Sequence, residues 1–261
     1  MPSASPSDNR IAYLSKGLHH EIYIVTAGSR VWKYADNRVT ELVLPHLIHC
    51  ISGILPDAGG GYYFTGCEGC YYYSPDGKTT RILDAYCNNL LYISRDSMLV
   101  SALNGLYLIG EPRTSRKINF PGVDSCTFMS LRHLGKFYLL ATANRGFILY
   151  NTVTHAASRF TSKDGLNSDF IYSVVHDHRN QIWLGTGRGV NKLLLDTVSG
   201  DIRISDISTP GDISSSECNQ NAAVYDQQRH LWFGTASGLM KFFPENDSQR
   251  YQYVPPVVLR G

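Results

Sequence analysis

Apolar and polar residues alternate along short runs of the chain, and Gly, Asp and Asn punctuate the runs. From Ile171 to His176 the residues are β-branched and aromatic, Asp177 to Asn180 read as a turn, and Gln181 to Thr186 return as a second strand. Gly187 to Gly189 then reverse the chain into Val190 to Leu195. A further turn at Asp196 to Gly200 leads to an outermost strand, Asp201 to Ile207. No segment sustains a helical period with caps, so helices are expected to be few.

The same four-strand unit recurs. Gln181, Ile182, Trp183, Leu184, Gly185, Thr186 and the turn at Gly189 are echoed by His230, Leu231, Trp232, Phe233, Gly234, Thr235 and Gly238. Further copies align Asp57 and Tyr63 with Gly69, Leu99 with Gly105, and Leu139 with Gly146. A leading copy places Ile24 in the Trp slot and Arg30 in the glycine slot. From position 30 through the glycines at 69, 105, 146, 189 and 238, the separations are 39, 36, 41, 43 and 49 residues. A period near forty is that of a propeller blade. The glycines are required if the tight hairpin sets them at positive φ.

One four-stranded meander cannot bury both of its faces, whereas radial stacking covers each face with a neighbour. The predicted fold is therefore an all-β propeller of six four-stranded antiparallel blades, or seven if one lies upstream of Met1. Its repeats centre near residues 24, 63, 99, 139, 183 and 232, and the propeller is assigned to residues 11–253. The large apolar slot at Ile24, Tyr63, Leu99, Leu139, Trp183 and Trp232 is assigned to the layers between blades. Residues 1–10, polar and Pro/Ser-rich, read as a disordered or tag-like extension.

Composition narrows the function classes. The 261 residues are 43% hydrophobic and 18% charged, which supports a packed β-rich core over disorder. Lys and Arg exceed Asp and Glu by only 24 to 22, so there is no basic field to hold nucleic acid. No run approaches a membrane-spanning length, and no apolar leader precedes Arg10.

Gly165, Leu166, Asn167, Ser168 and Asp169, followed by Asp177, Asn180, Trp183, Gly185, Thr186 and Gly189, carry a resemblance to a known family. The pattern resembles the repeat of the two-component regulator propellers, the extracytoplasmic sensor domains of Bacteroidetes-type hybrid histidine kinases. Tyr253, Val254, Pro255, Pro256, Val257, Val258 and Leu259 are similar to the entry of the immunoglobulin-like domain that follows the propeller in that family. Residues 254–261 are accordingly read as the start of a linker. The resemblance implies a non-enzymatic sensor located in the periplasm or outside the cell, attached to an inner-membrane protein. It also implies downstream immunoglobulin-like and kinase domains in the same parent chain, and a possible homodimer.

Strand geometry sets the blade-to-blade connection and the turn between strands two and three at one end of each blade. That end collects Glu68, Asn104, Arg145, Asn167, Asp169, Arg188, Glu217 and Asn219, predicted to lie near the mouth of a central channel. Such groups suit an oligosaccharide or another small polar ligand. No catalytic, metal or cofactor site is assigned. Cys67 and Cys70 form a single Cys-x-x-Cys, which is either a turn disulfide in an exported protein or a pair of free thiols in the cytosol. The pairs His19/His20, His46/His49 and His176/His178 have no companion carboxylate in a motif-like place. Two other readings stay open: a propeller lyase of the streptogramin or polysaccharide type, and a protein-interaction scaffold.

Overall fold

A computed structural model describes residues 11–17, 21–44, 50–94, 96–119, 126–207, 216–244 and 251–254. His19, His20, His46, His49, the extension at 1–10 and the tail at 255–261 lie outside the described residues. The chain forms six sheets, each of four antiparallel strands in sequence order, the make-up of a six-bladed β-propeller. They divide between two compact units, residues 1–119 and 120–261. The first unit holds the blades spanning 11–42, 53–83 and 87–118, and the second those spanning 128–160, 171–206 and 218–254. Among the described residues the only helix is one 3₁₀ turn, Ser162–Asp164, closed by a Thr161 capping box.

Burial explains the sequence pattern of each blade. Gln181–Thr186 is buried along nearly its whole length because both faces of this second strand are covered, so it reads as a continuous apolar run. The fourth strands, Arg38–Leu42 and Ile202–Asp206, are largely exposed and correspondingly polar. In the first unit, Tyr23, Val25, Ile54 and Phe64 pack between the first and second blades, and Tyr63, Cys70, Leu90 and Val100 between the second and third. In the second unit, Leu139, Phe147, Val174 and Leu184 join the fourth and fifth blades, and Trp183, Val190, Cys218 and Phe233 the fifth and sixth.

The shared apolar slot is therefore core at Tyr63, Leu99, Leu139 and Trp183. It is only half-buried at Ile24 and Trp232. In the first blade Tyr23 and Val25, on the alternate face, carry the packing instead. Arg30 is accommodated in the glycine slot because the left-handed residue of that turn is one step earlier, at Ser29 (φ 60°). Elsewhere the glycine is obligatory. Gly146 has φ 75°, and a Cβ there would sit 2.0 Å from the Phe160 carbonyl oxygen. The last strand, Tyr251–Val254, pairs with Gly238–Phe242 and completes the sixth sheet, so Tyr253 and Val254 belong to the blade.

A polar brace supports the fifth blade. Asn191 is fully buried, and its Oδ1 accepts the Asn167 backbone N–H (2.8 Å) while its Nδ2 donates to Asn167 Oδ1 (3.0 Å). Asn191→Ala would remove both of these partners from the half-buried Asn167. The expected cost is about 1–3 kcal/mol, read as a lowered urea midpoint; an unchanged midpoint would mean that water replaces the amide.

Candidate functional site

The connection entering a blade and the turn between its second and third strands are tied by one recurring hydrogen bond. The first residue of the turn donates its N–H to the carbonyl of the residue just before strand one. The pairs are Leu103 to Tyr86 (3.0 Å), Ala143 to Thr127 (2.9 Å), Gly187 to Phe170 (2.9 Å) and Ala236 to Glu217 (2.8 Å). In the second unit a threonine at the end of the second strand adds a second brace. Thr142, Thr186 and Thr235 each donate Oγ1 to the carbonyl of Gly146, Gly189 and Gly238, at 2.7, 2.8 and 2.8 Å. The same hydroxyls accept the N–H of Arg145, Arg188 and Ser237. The turn backbone is thus held on both sides while the Arg145 and Arg188 side chains are exposed.

In the first unit Glu68 and Asn104 are exposed at equivalent turns of the second and third blades. The Glu68 carbonyl accepts from the Arg81 guanidinium and from Tyr71 Oη (3.4 Å), leaving its carboxylate outward. In the second unit Arg145 and Arg188 occupy the corresponding turns of the fourth and fifth blades. Asn167 Nδ2 donates to the Arg188 carbonyl (3.2 Å) and to Asp206 Oδ1 (2.8 Å), so Asn167 serves as a strut. Asp169 Oδ1 accepts the Ser162 N–H (2.6 Å), which fixes the 3₁₀ turn. Asn219 Nδ2 donates to the Thr235 carbonyl (3.3 Å).

Two aromatic residues complete the group at this end of the fifth blade. Phe170 is 49% exposed, an unusual fraction for phenylalanine, and sits on the residue whose carbonyl holds Gly187. Tyr172 Oη donates to Glu217 Oε1 at 2.6 Å. That bond first, then burial, push the Tyr172 phenol up to about 12, so it stays a donor at neutral pH. Phe170, Tyr172, Arg188 and Glu217 together present a ring face, a phenol, a guanidinium and a carboxylate. This is the chemistry that grips a polyhydroxylated or otherwise polar molecule.

The opposite end of the blades is different. The described histidines, His133, His155, His176, His178 and His230, all lie at or beside the turns between strands one and two or three and four. There Asp57, Asp177 and Asp226 act as turn anchors, accepting from Tyr72 Oη (2.9 Å), Trp183 Nε1 (3.2 Å) and Trp232 Nε1 (2.7 Å). The repeat showed these aspartates; the ring donors that each one meets were not read from it. A cavity of about 250 Å³ at this end of the first unit is lined by Asp57, Tyr63, Tyr92, Asp96 and Glu111 among others. Among the described residues no group of histidine, cysteine and carboxylate side chains is arranged to hold a metal ion. No helix among them is long and apolar enough to cross a membrane.

Residues 165–188 match the family described as Two component regulator propeller. The match covers the entry and the first two strands of the fifth blade. No curated protein matches the chain. Among solved structures, the extracellular domain of the hybrid two component system BT3049 from B. thetaiotaomicron superposes with a TM-score of 0.72 at 15% identity, over 94% of this chain and 34% of that one. The extracellular domain of the one component system BT4673 from the same organism gives 0.71 at 15% identity, over 92% and 33%. The chain thus spans about a third of the length of these two neighbours. A catalytically inactive histidine-to-alanine variant of virginiamycin B lyase from Staphylococcus aureus, with quinupristin, gives 0.71 at 13% identity, over 95% and 85%. At these identities the likeness is one of fold.

Proposed function

We propose that this chain is the ligand-binding sensor propeller of a two-component signalling protein, without catalytic activity of its own. Its ligand is a carbohydrate or similar polar metabolite held by Phe170, Tyr172, Arg188 and Glu217. The observation that carries the reading is a coincidence within one blade. Residues 165–188, which match the regulator propeller family, are the same residues that build the Phe170–Arg188 platform. The described histidines lie at the other end of the blades, away from this platform, which favours binding over acid–base chemistry there. In the parent protein, by this reading, the propeller is exported and continues into an immunoglobulin-like domain, a membrane helix and a kinase. A bound ligand acts by biasing how those domains pack, in a dimer or alone.

A thermal-shift screen against oligosaccharides, with chromatography of every hit for products, tests the reading. A true ligand at a hundredfold its dissociation constant adds about 2.7 kcal/mol of stability. Arg188→Ala is expected to weaken that ligand at least about tenfold, the worth of one charge-assisted hydrogen bond, and to leave the ligand-free melting temperature unchanged. Product formation would identify a lyase instead. Binding indifferent to Arg188→Ala and Phe170→Ala would move the site elsewhere.

A further inference from the structure

Cys67 sits in the two-residue turn between the strands Tyr62–Gly66 and Gly69–Tyr73 of the second blade. Sequence spacing points to Cys70 as its partner, but Cys70 is fully buried in the core between the second and third blades, together with Cys87. Its backbone pairs with Thr65 on one side and Leu83 on the other, deep inside the ladder. Cys50 approaches Cys67 from another direction. It lies in the connection that enters the same blade, just before the strand Gly53–Pro56.

That strand runs antiparallel to Tyr62–Gly66 with Gly53 opposite Thr65. The ladder extends outward through the Ser52 N–H to the Thr65 carbonyl (2.8 Å). Continuing the register brings Cys50 within one step of Cys67. Between them, Ile51 is buried in the core and anchors the connection. Cys50 itself is exposed and Cys67 half-buried.

We propose that Cys50 and Cys67 are a disulfide-forming pair which, when closed, ties the entry of the second blade to the turn that bears Glu68. The inference is independent of the sensor reading. The oxidant is a low-molecular-weight disulfide such as oxidised glutathione. The exposed Cys50 thiolate attacks one sulfur of that disulfide, forming a mixed disulfide and releasing one glutathione thiolate. The Cys67 thiolate then attacks Cys50 Sγ and expels the second. Two protein thiols thereby lose two electrons and two protons, and the glutathione disulfide is reduced to two thiols. Burial first, then the adjacent Cys50, push the Cys67 thiol up to about 11. Closure is accordingly expected to accelerate about tenfold per pH unit between pH 7 and 9, as the Cys67 thiolate becomes more abundant.

The test is to incubate the full chain with oxidised glutathione, quench with acid, alkylate, and read intact and peptide masses. Two of the six cysteines are expected to escape alkylation and to map to a cross-link between Cys50 and Cys67. Cys70→Ala is expected to leave that cross-link in place, and Cys67→Ala to trap Cys50 as the glutathione adduct. Closing the loop from 50 to 67 is expected to raise the melting temperature by roughly 5–10 °C. A Cys67–Cys70 cross-link in the wild-type chain would overturn the proposal. So would a lasting glutathione adduct on Cys50 with Cys67 still free at pH 9. Both results are read on the wild-type protein, so they do not depend on a variant folding.

Discussion

Between pH 9 and 10 the protein is expected to lose about 3–4 kcal/mol of stability from three deeply buried thiols that the fold keeps protonated. Cys70, Cys87 and Cys218 are between 0% and 2% exposed. Burial pushes Cys87 and Cys218 up to about 12 and Cys70 well above the ordinary thiol range. In the unfolded chain the same groups ionise near pH 8.5. Above that pH the unfolded state binds fewer protons than the native one, so stability falls as pH rises. The fall continues until the folded-state values are reached. Each thiol contributes a slope that rises towards about 1.4 kcal/mol per pH unit as its unfolded-state counterpart becomes fully ionised. Above pH 10 the buried Tyr23 and the paired Tyr172, both raised, act in the same direction. A domain of ordinary stability, about 5–15 kcal/mol, would then unfold not far above pH 10. Urea unfolding at pH 8, 9 and 10 with a reductant present measures the slope, to which Cys67, also raised, adds, and Cys218→Ala should remove about a quarter to a third of it. Midpoints that do not move across this range would contradict the thiols' burial.

The fold was legible because three kinds of signal coincide in the fifth blade. Ile171–His176 and Gln181–Thr186 are strands with the limits read from sequence, since β-branched runs, an Asp–Asn turn and a glycine hairpin all mark the same boundaries. The outer strand, Ile202–Asp206, is a residue shorter at each end than the apolar pattern indicated. Its exposure explains this, because burial does not dictate where an edge strand stops. The first blade was hardest to align. Its left-handed turn residue moved from the glycine slot to Ser29, and its core moved to Tyr23 and Val25. Neither shift has a local signal.

The candidate site was legible only as turn positions. Arg145 and Arg188 follow from counting along the repeat, and the structure gives them equivalent braced turns. What counting does not provide is pairing between blades. Tyr172 of the fifth blade and Glu217 at the entry of the sixth meet across 45 residues. That contact depends on how neighbouring sheets stack. Cys67 shows the same limit: proximity in sequence pointed to Cys70, while strand register points to Cys50.

Truncating Trp183 to Ala is expected to cost about 3–5 kcal/mol, enough to leave a marginal domain largely unfolded at 37 °C. The ring is 3% exposed and packs with Val175, Val190, Phe233 and Phe242 between the fifth and sixth blades. Losing it removes that packing and opens a cavity that neighbouring strands cannot collapse into, because both are held in ladders. The indole N–H contributes separately, through its bond to Asp177 Oδ2. Asp177 is itself buried, and its other oxygen accepts the N–H groups of Arg179 (2.8 Å) and Gln181 (3.0 Å), so this carboxylate pins the whole turn. Trp183→Phe should therefore cost less, about 1–3 kcal/mol, since much of the packing survives and only one donor to the carboxylate is lost. Trp232 occupies the same motif position and also bonds its aspartate, but it is only half-buried. Trp232→Ala should accordingly cost clearly less than Trp183→Ala in the same urea titration. Equal costs would mean that the motif's hydrogen bond, rather than burial, sets the energetics of the slot.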